Sequence, residues 1–344
     1  MVPAVPADHA RNAPVAWEGL DDLPATPAAV MDYAIFGGVL RSALEFPSLR
    51  AQPVASPTWT LDVDSPAPVP ADAEPLGVDQ VDATVAVRLH RSRDAWHLIY
   101  DDTGRFDIDR SGDAIRWLAP SGVSRDAARL DIMGRVLATA MHAAGDVCFH
   151  ASAVAIGGEA IAFLGGKGFG KSTLAWAMVR AGARLITDDT LRLQLEPGPL
   201  AHPGVHELRL RRDAANQLPP APREARPVGD RLVIDALELD RLQSETVPVG
   251  ALYLLSPVQD LPGSVAARVS ALSAVASALS LVRHAKIAPL LTGSEAVALL
   301  DRVVALARRT PVRLLEVSRD FARLDDVVAA VMAWHSDGVG AATR

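Results

Sequence analysis

The chain is 344 residues long and 49% apolar, enough for one large domain or two ordinary ones with a sizeable core. A formal net charge of −7 gives no electrostatic reason to expect nucleic acid or an anionic membrane as partner. Cys148 is the single cysteine, which excludes an intrachain disulfide and a cysteine-rich zinc site and makes a reducing compartment, the cytoplasm, the expectation.

Residues 1–28 are rich in Ala and Pro and lack a basic head followed by an apolar run, so they read as a flexible arm and not a secretory signal. Residues 29–124 read as a β-rich N-terminal domain. Short, partly alternating runs at 59–64, 83–91, 95–102, 104–109 and 114–120, parted by Gly, Asp, Ser and Pro turns, predict an antiparallel meander. The stretch 65–75 reads as a linker. From 125 to 144 apolar residues recur at helical spacing, with Gly145 placed to end the helix, and the second domain, 125–344, begins here. Cys148 in "DVCFHASAV" reads as an inert thiol in a buried strand.

Two strands, 147–157 and 159–165, flank Gly157-Gly158, a good two-residue hairpin turn. A helix at 171–181 with Gly182 as its cap, a strand at 184–189 and strands at 191–197 and 205–212 come next, then a Pro-rich loop at 217–230 and a strand at 249–257. The tail predicts helices at 270–283, 294–308 and 321–335 around a strand at 312–317, with Thr292 and Glu295 at capping-box spacing. The whole is an α/β core behind a β-rich front. No run of 18 apolar residues occurs, so no membrane span is expected.

The chemistry centres on "GGKGFGKST", residues Gly165 to Thr173. Glycines between a strand and a helix leave main-chain N–H groups free to surround an anion, and the helix adds its own free N–H groups and dipole. The spacing matches the P-loop pattern from Gly165 to Ser172. Lys171 supplies a point charge for the β- and γ-phosphates, and Ser172 a hydroxyl for Mg²⁺. Lys167 is either a second phosphate contact or a solvated side chain.

A P-loop kinase also needs a carboxylate for the metal and a base. Asp188 and Asp189 close the next strand, and a strand–helix–strand crossover would bring them to the loop's end of the sheet. Alternate strand residues face opposite ways, so the pair divides between holding Mg²⁺ and taking a proton, in an order the residues leave open. His150 either orients the base, touches phosphate or is a core histidine. Glu207 and Arg209 share a strand face, read either as a catalytic wall, with Glu207 near the metal and Arg209 near the transferring phosphate, or as solvated charges.

His150, the hairpin, "GGKGFGKST", the short helix and the Asp pair resemble the HPr kinase/phosphorylase catalytic domain. They are closer still to HPr-kinase-related bacterial proteins, some found with peptide-modifying gene clusters. The likeness covers about residues 146–212 and the tail "TPVRLLEVSRDFARLDDVVAAV". It implies a phosphoenolpyruvate-carboxykinase-like P-loop kinase core and ATP-dependent phosphorylation of a serine on a protein or peptide, a peptide natural-product precursor included. It assigns Gly165, Gly166, Lys167, Gly168, Phe169, Gly170, Lys171, Ser172 and Thr173 to ATP, and one of Asp188 and Asp189 to the base with His150 in support. Glu207 and Arg209 match the family's E-x-R. Ser172, Asp189 and Glu207 are the candidate magnesium ligands. After Arg209 the family's glycine-rich continuation is replaced by "LRRDAAN", a departure that leaves phosphorylase activity and HPr as substrate open. Oligomers occur in that family, and a homo-oligomer is carried as an expectation. A small-molecule kinase and a nucleotide-binding sensor without transfer activity are the alternatives.

Overall fold

The structure, a computed structural model, describes residues 29–336 apart from 55, 82, 216, 219–224, 229–230, 236–239, 260 and 262–264. The arm expected at 1–28 and much of the Pro-rich stretch at 217–230 lie outside the described residues.

The front of the chain forms one nine-stranded sheet. Its strands are β1 (Met31–Ile35), β2 (Gly38–Ser42), β3 (Arg50–Ala51), β4 (Trp59–Asp64), β5 (Glu74–Gln80), β6 (Ala86–Arg91), β7 (Ala95–Tyr100), β8 (Gly104–Asp109) and β9 (Ala114–Leu118). Their spatial order is β3-β1-β2-β4-β9-β8-β7-β6-β5. The expected meander is correct for β6 to β9 only, and β5 extends it by one strand. After β4 the chain runs to the far edge, lays down β5, and returns strand by strand until β9 meets β4. That return makes β4–β9 parallel, and β2–β4 is parallel as well. The stretch read as a linker thus ends in an edge strand, and β1 and β2 were not foreseen. Alternate residues of the returning strands, among them Leu89, Leu98, Phe106 and Trp117, point into a common core.

The helix expected over 125–144 is interrupted. α1 (Arg125–Asp131) and α2 (Leu137–Ala143) are joined by a π-turn over Ile132–Val136, where Gly134 has φ −95° and ψ −105°. A glycine in the helix interior lets the ladder slip there. Gly145, in the left-handed region at φ 101°, closes α2 as expected, while Asp146 N–H reaches back to Met141 O at 2.9 Å.

The second sheet holds β10 (Val147–Phe149), β11 (Ala151–Ile156), β12 (Glu159–Leu164), β13 (Arg184–Thr187), β14 (Leu191–Gln194), β15 (Leu200–Ala201), β19 (Val247–Val258), β20 (Ala267–Ala271) and β21 (Val312–Ser318). A three-stranded sheet of β16 (Glu207–Arg211), β17 (Arg226–Val228) and β18 (Arg231–Asp235) stands beside it, with the single turn α4 (Arg212–Ala215) following β16. Gly157 and Gly158, at φ 59° and 83°, make the tight turn between β11 and β12. β11 is antiparallel to both β12 and β13, so β12 and β13 run parallel with β11 between them. β19 pairs parallel with β12 and with β21. The carboxyl ends of β12, β13, β19 and β21 therefore face the same way.

The strands in the middle of this sheet are apolar on both faces, as buried strands are. Ala151, Ala153, Ala155, Ala160 and Ala162 pack into the core shared with the front sheet, with α2, and with α5 (Ala274–His284) and α6 (Gly293–Arg309). Val154, Ile156, Ile161 and Phe163 face α3 (Lys171–Arg180) and α7 (Leu324–Ser336). The expected capping box at Thr292 does not form. Thr292 Oγ1 donates to Leu76 O at 2.6 Å, and Glu295 is taken by Arg91. No helix among the described residues is long and apolar enough to cross a membrane.

Candidate active site

At the carboxyl ends of those parallel strands lies a cleft of about 860 Å³. It is lined by Lys167 through Leu174, by His150, Asp188, Asp189 and Arg209, and by residues from the ends of β19 and β21 and the start of α7. All but the first two of the loop residues expected to bind nucleotide, and the acidic pair, thus line one opening.

The loop's shape follows from its glycines. Gly168 and Gly170 have φ 81° and 88°, a region L side chains rarely adopt, and a Cβ at either would project into open space. The backbone there is bare on its cleft side, as a phosphate cradle requires. Gly170 also caps α3, whose first-turn N–H groups open into the cleft. Lys171 is buried and donates from Nζ to Gly165 O at 2.8 Å and Gly166 O at 3.2 Å. Burial lowers its pKa.

The two aspartates have different surroundings. Asp188 is 6% exposed. Its Oδ1 accepts from Ser152 Oγ at 2.5 Å and Ser172 Oγ at 2.9 Å, and its Oδ2 from Arg209 N–H at 3.0 Å. Among the described residues it has no ion-pair partner, and burial raises its pKa against the pull of those hydrogen bonds. Asp189 is 54% exposed to the cleft and sits at φ 79°. Its carboxylate meets His150 Nδ1 at 3.0 Å and Lys286 Nζ at 2.5 Å. Burial alone would raise its pKa, but Lys286 and then His150 outweigh it and hold the carboxyl well below the usual range.

The side chains around Ser172 differ from the expected metal set. Asp188, not Asp189, is the carboxylate beside Ser172. Glu207 is buried and bound by Arg226 and by Arg209 at 3.2 Å, so its oxygens are already neutralised. Arg209 lines the cleft, as expected, with its main chain bonded to Asp188. No cluster of three or more His, Cys, Asp or Glu that could hold a metal occurs among the described residues. One carboxylate and one hydroxyl nonetheless suit Mg²⁺, which binds through one or two protein oxygens and takes the rest from phosphate and water. A buried carboxylate without a cation partner is what such an ion would relieve.

Sequence reading missed Ser152, Lys286 and His284. Ser152 lies two residues from His150, a spacing that signals a shared direction along an extended chain. Lys286 is 97 residues from Asp189 and enters through the turn after α5, where His150 N–H bonds His284 O at 2.9 Å and Lys286 N–H bonds Cys148 O at 2.8 Å. His284 is held at a pKa of about 4 by burial, with Lys171 adding to the effect.

No protein-family model and no curated protein matches the chain. Among solved structures, the Hpr(Ser) kinase/phosphatase from Coxiella burnetii is similar, at a TM-score of 0.28 and 14% identity, over 55% of this chain and 95% of that one. A likeness this weak carries no argument about the chemistry.

Proposed function

We propose that the chain is an ATP-dependent kinase that transfers the γ-phosphoryl group to a hydroxyl, in the first instance a serine of a protein or peptide. One observation carries this reading: a glycine cradle and helix end whose Ser172 is bonded to a buried Asp188, with a second, ionised carboxylate, Asp189, open to the same cleft. Phosphoryl transfer asks the protein mainly for positioning, charge and a base.

Asp189 accepts the proton as the acceptor O–H bond breaks, the oxygen bonds to the γ-phosphorus, and the bond from phosphorus to the bridging oxygen opens to release ADP. His150 and Lys286 hold Asp189 anionic and aimed into the cleft. Lys171 leaves the loop carbonyls for the phosphates, and Arg209 faces the group in flight. Mg²⁺, held by Asp188 and Ser172, would neutralise phosphate charge. The choice of serine rests on the resemblance of His150, the P-loop and the Asp pair to HPr kinases.

A transfer assay with γ-labelled ATP and Mg²⁺ tests this against HPr, serine peptides, peptides encoded beside the gene and small hydroxyl metabolites. Label is expected on a protein or peptide, and is expected to vanish with Lys171→Ala. Label on a metabolite would replace the acceptor class. Tight ATP binding with no transfer to any acceptor would favour a sensor.

A further inference from the structure

The two ends of the cleft differ in chemistry. Asp188, Asp189, His150 and Arg209 occupy one. The other is apolar and consists of Leu255 and Pro257 from β19, Val317 from β21, Phe321 from the 3-10 turn before α7, and Leu324 at the start of α7. Phe169 of the P-loop is 38% exposed and lines the cleft, with its ring laid against Gly165 and Gly166.

We propose that this apolar end seats the purine base of the nucleotide, with Phe321 and Phe169 as its aromatic contacts. The inference rests on the nucleotide-binding reading above and adds residues to it. Its first support is position. β12, β19 and β21 are consecutive parallel neighbours, and the P-loop leaves β12 where Gly165 packs against Leu255 O. The end of β21 is therefore two strand spacings, roughly 10 Å, from the cradle. That is the scale of the step from a triphosphate to its base.

Chemistry is the second support. Bases are flat and π-faced and stack on aromatic side chains whatever their edge pattern. The rim beside Phe321 is polar: Ser318, Arg319 and Asp320 line it, and the exposed Arg319 guanidinium has no hydrogen bond or ion pair among the described residues. The opposite end, with its carboxylates and arginines, suits phosphate and an acceptor hydroxyl, not a base.

The test is calorimetric titration of the full chain with Mg-ATP and, separately, with magnesium and inorganic tripolyphosphate, which lacks base and ribose. Phe321→Ala is expected to weaken ATP by about tenfold, as the loss of one stacking contact does, and to leave tripolyphosphate unchanged. Phe321→Tyr, which keeps the ring, is expected to restore ATP binding. ATP affinity unchanged in Phe321→Ala, or an equal loss for both ligands, would overturn the inference while leaving the P-loop reading in place. Wild-type protein that binds tripolyphosphate as tightly as ATP would do the same. Wild-type protein that binds neither would defeat the nucleotide reading and this inference with it.

Discussion

At the scale of single residues, the acid pair is placed by the tight turn after β13. Thr187 Oγ1 donates to Thr190 O at 2.8 Å and closes the turn around Asp188 and Asp189. Gly204 lies against it: a Cβ there would come within 2.1 Å of Thr187 Oγ1 and 2.7 Å of Thr187 Cβ. Gly204→Ala must therefore push the turn aside. It is expected to destabilise the chain by about 1–3 kcal/mol and to cut phosphoryl transfer more than ATP binding, read from a denaturant melt beside the transfer assay. Wild-type stability and transfer would show that the turn yields freely.

Another polar constellation has the spacing of a nucleophile triad without its setting. Ser92 Oγ is 3.0 Å from His97 Nε2, and His97 Nδ1 is 2.6 Å from Asp107. Asp107 is also paired with Arg105, and the Ser92 hydroxyl lies within reach of both the N–H and the carbonyl of Ala95 in the turn between β6 and β7. These bonds clasp a hairpin.

At the scale of elements, the stretch from 147 to 187 was legible because it is locally determined. Continuous apolar runs mark β11 and β12, two glycines mark their turn, and a glycine run opening on the apolar stretch Leu174–Val179 marks the loop and α3. The strand–helix–strand step also brings the acidic pair to the loop's end of the sheet, but it leaves open which of the two meets Ser172, a place the structure gives to Asp188. What was not legible depends on long-range placement. Nothing near Glu207 announces that Arg226 neutralises it, and nothing near Asp189 announces Lys286. The front sheet was misread for the same reason. Periodicity finds strands, but whether β4 turns back at once or waits for β9 is decided by core packing far along the chain. The π-turn at 132–136 is hidden inside a pattern that otherwise keeps helical spacing, with Gly134 the only local sign.

At the scale of the whole molecule, one core runs from the front sheet through α2 to the inner face of the second sheet, and it buries ionisable groups. Burial holds His142, His202 and His284 at pKa values of about 4, against about 6.5 in an unfolded chain. Above that value these histidines are neutral in both states. Between roughly pH 6.5 and 4 the unfolded chain takes up protons that the folded one refuses, so acid favours unfolding. Asp131, raised to about 6 by burial, acts the other way, since the folded chain keeps a proton the unfolded chain sheds. Asp146 and Asp188, also raised by burial, act with Asp131, but His90, His206 and His335, lowered by burial, and Asp189, held low by Lys286 and His150, add to the histidines' side and outnumber them. The melting temperature is expected to fall as pH drops from 6.5 to 4, and a flat or rising profile would contradict the burial of these rings.

The cleft stands at the carboxyl-end rim of the second sheet, whose two faces are packed. The most direct test of its chemistry is the rate of label transfer from γ-labelled Mg-ATP to the best acceptor found, wild type against Asp189→Asn. That change keeps the side chain's size and removes its capacity as a base. Transfer is expected to fall by about 10²–10⁴, with Mg-ATP still bound. Transfer at the wild-type rate would contradict the assignment of Asp189 as the proton acceptor, and with it the mechanism built on this cleft.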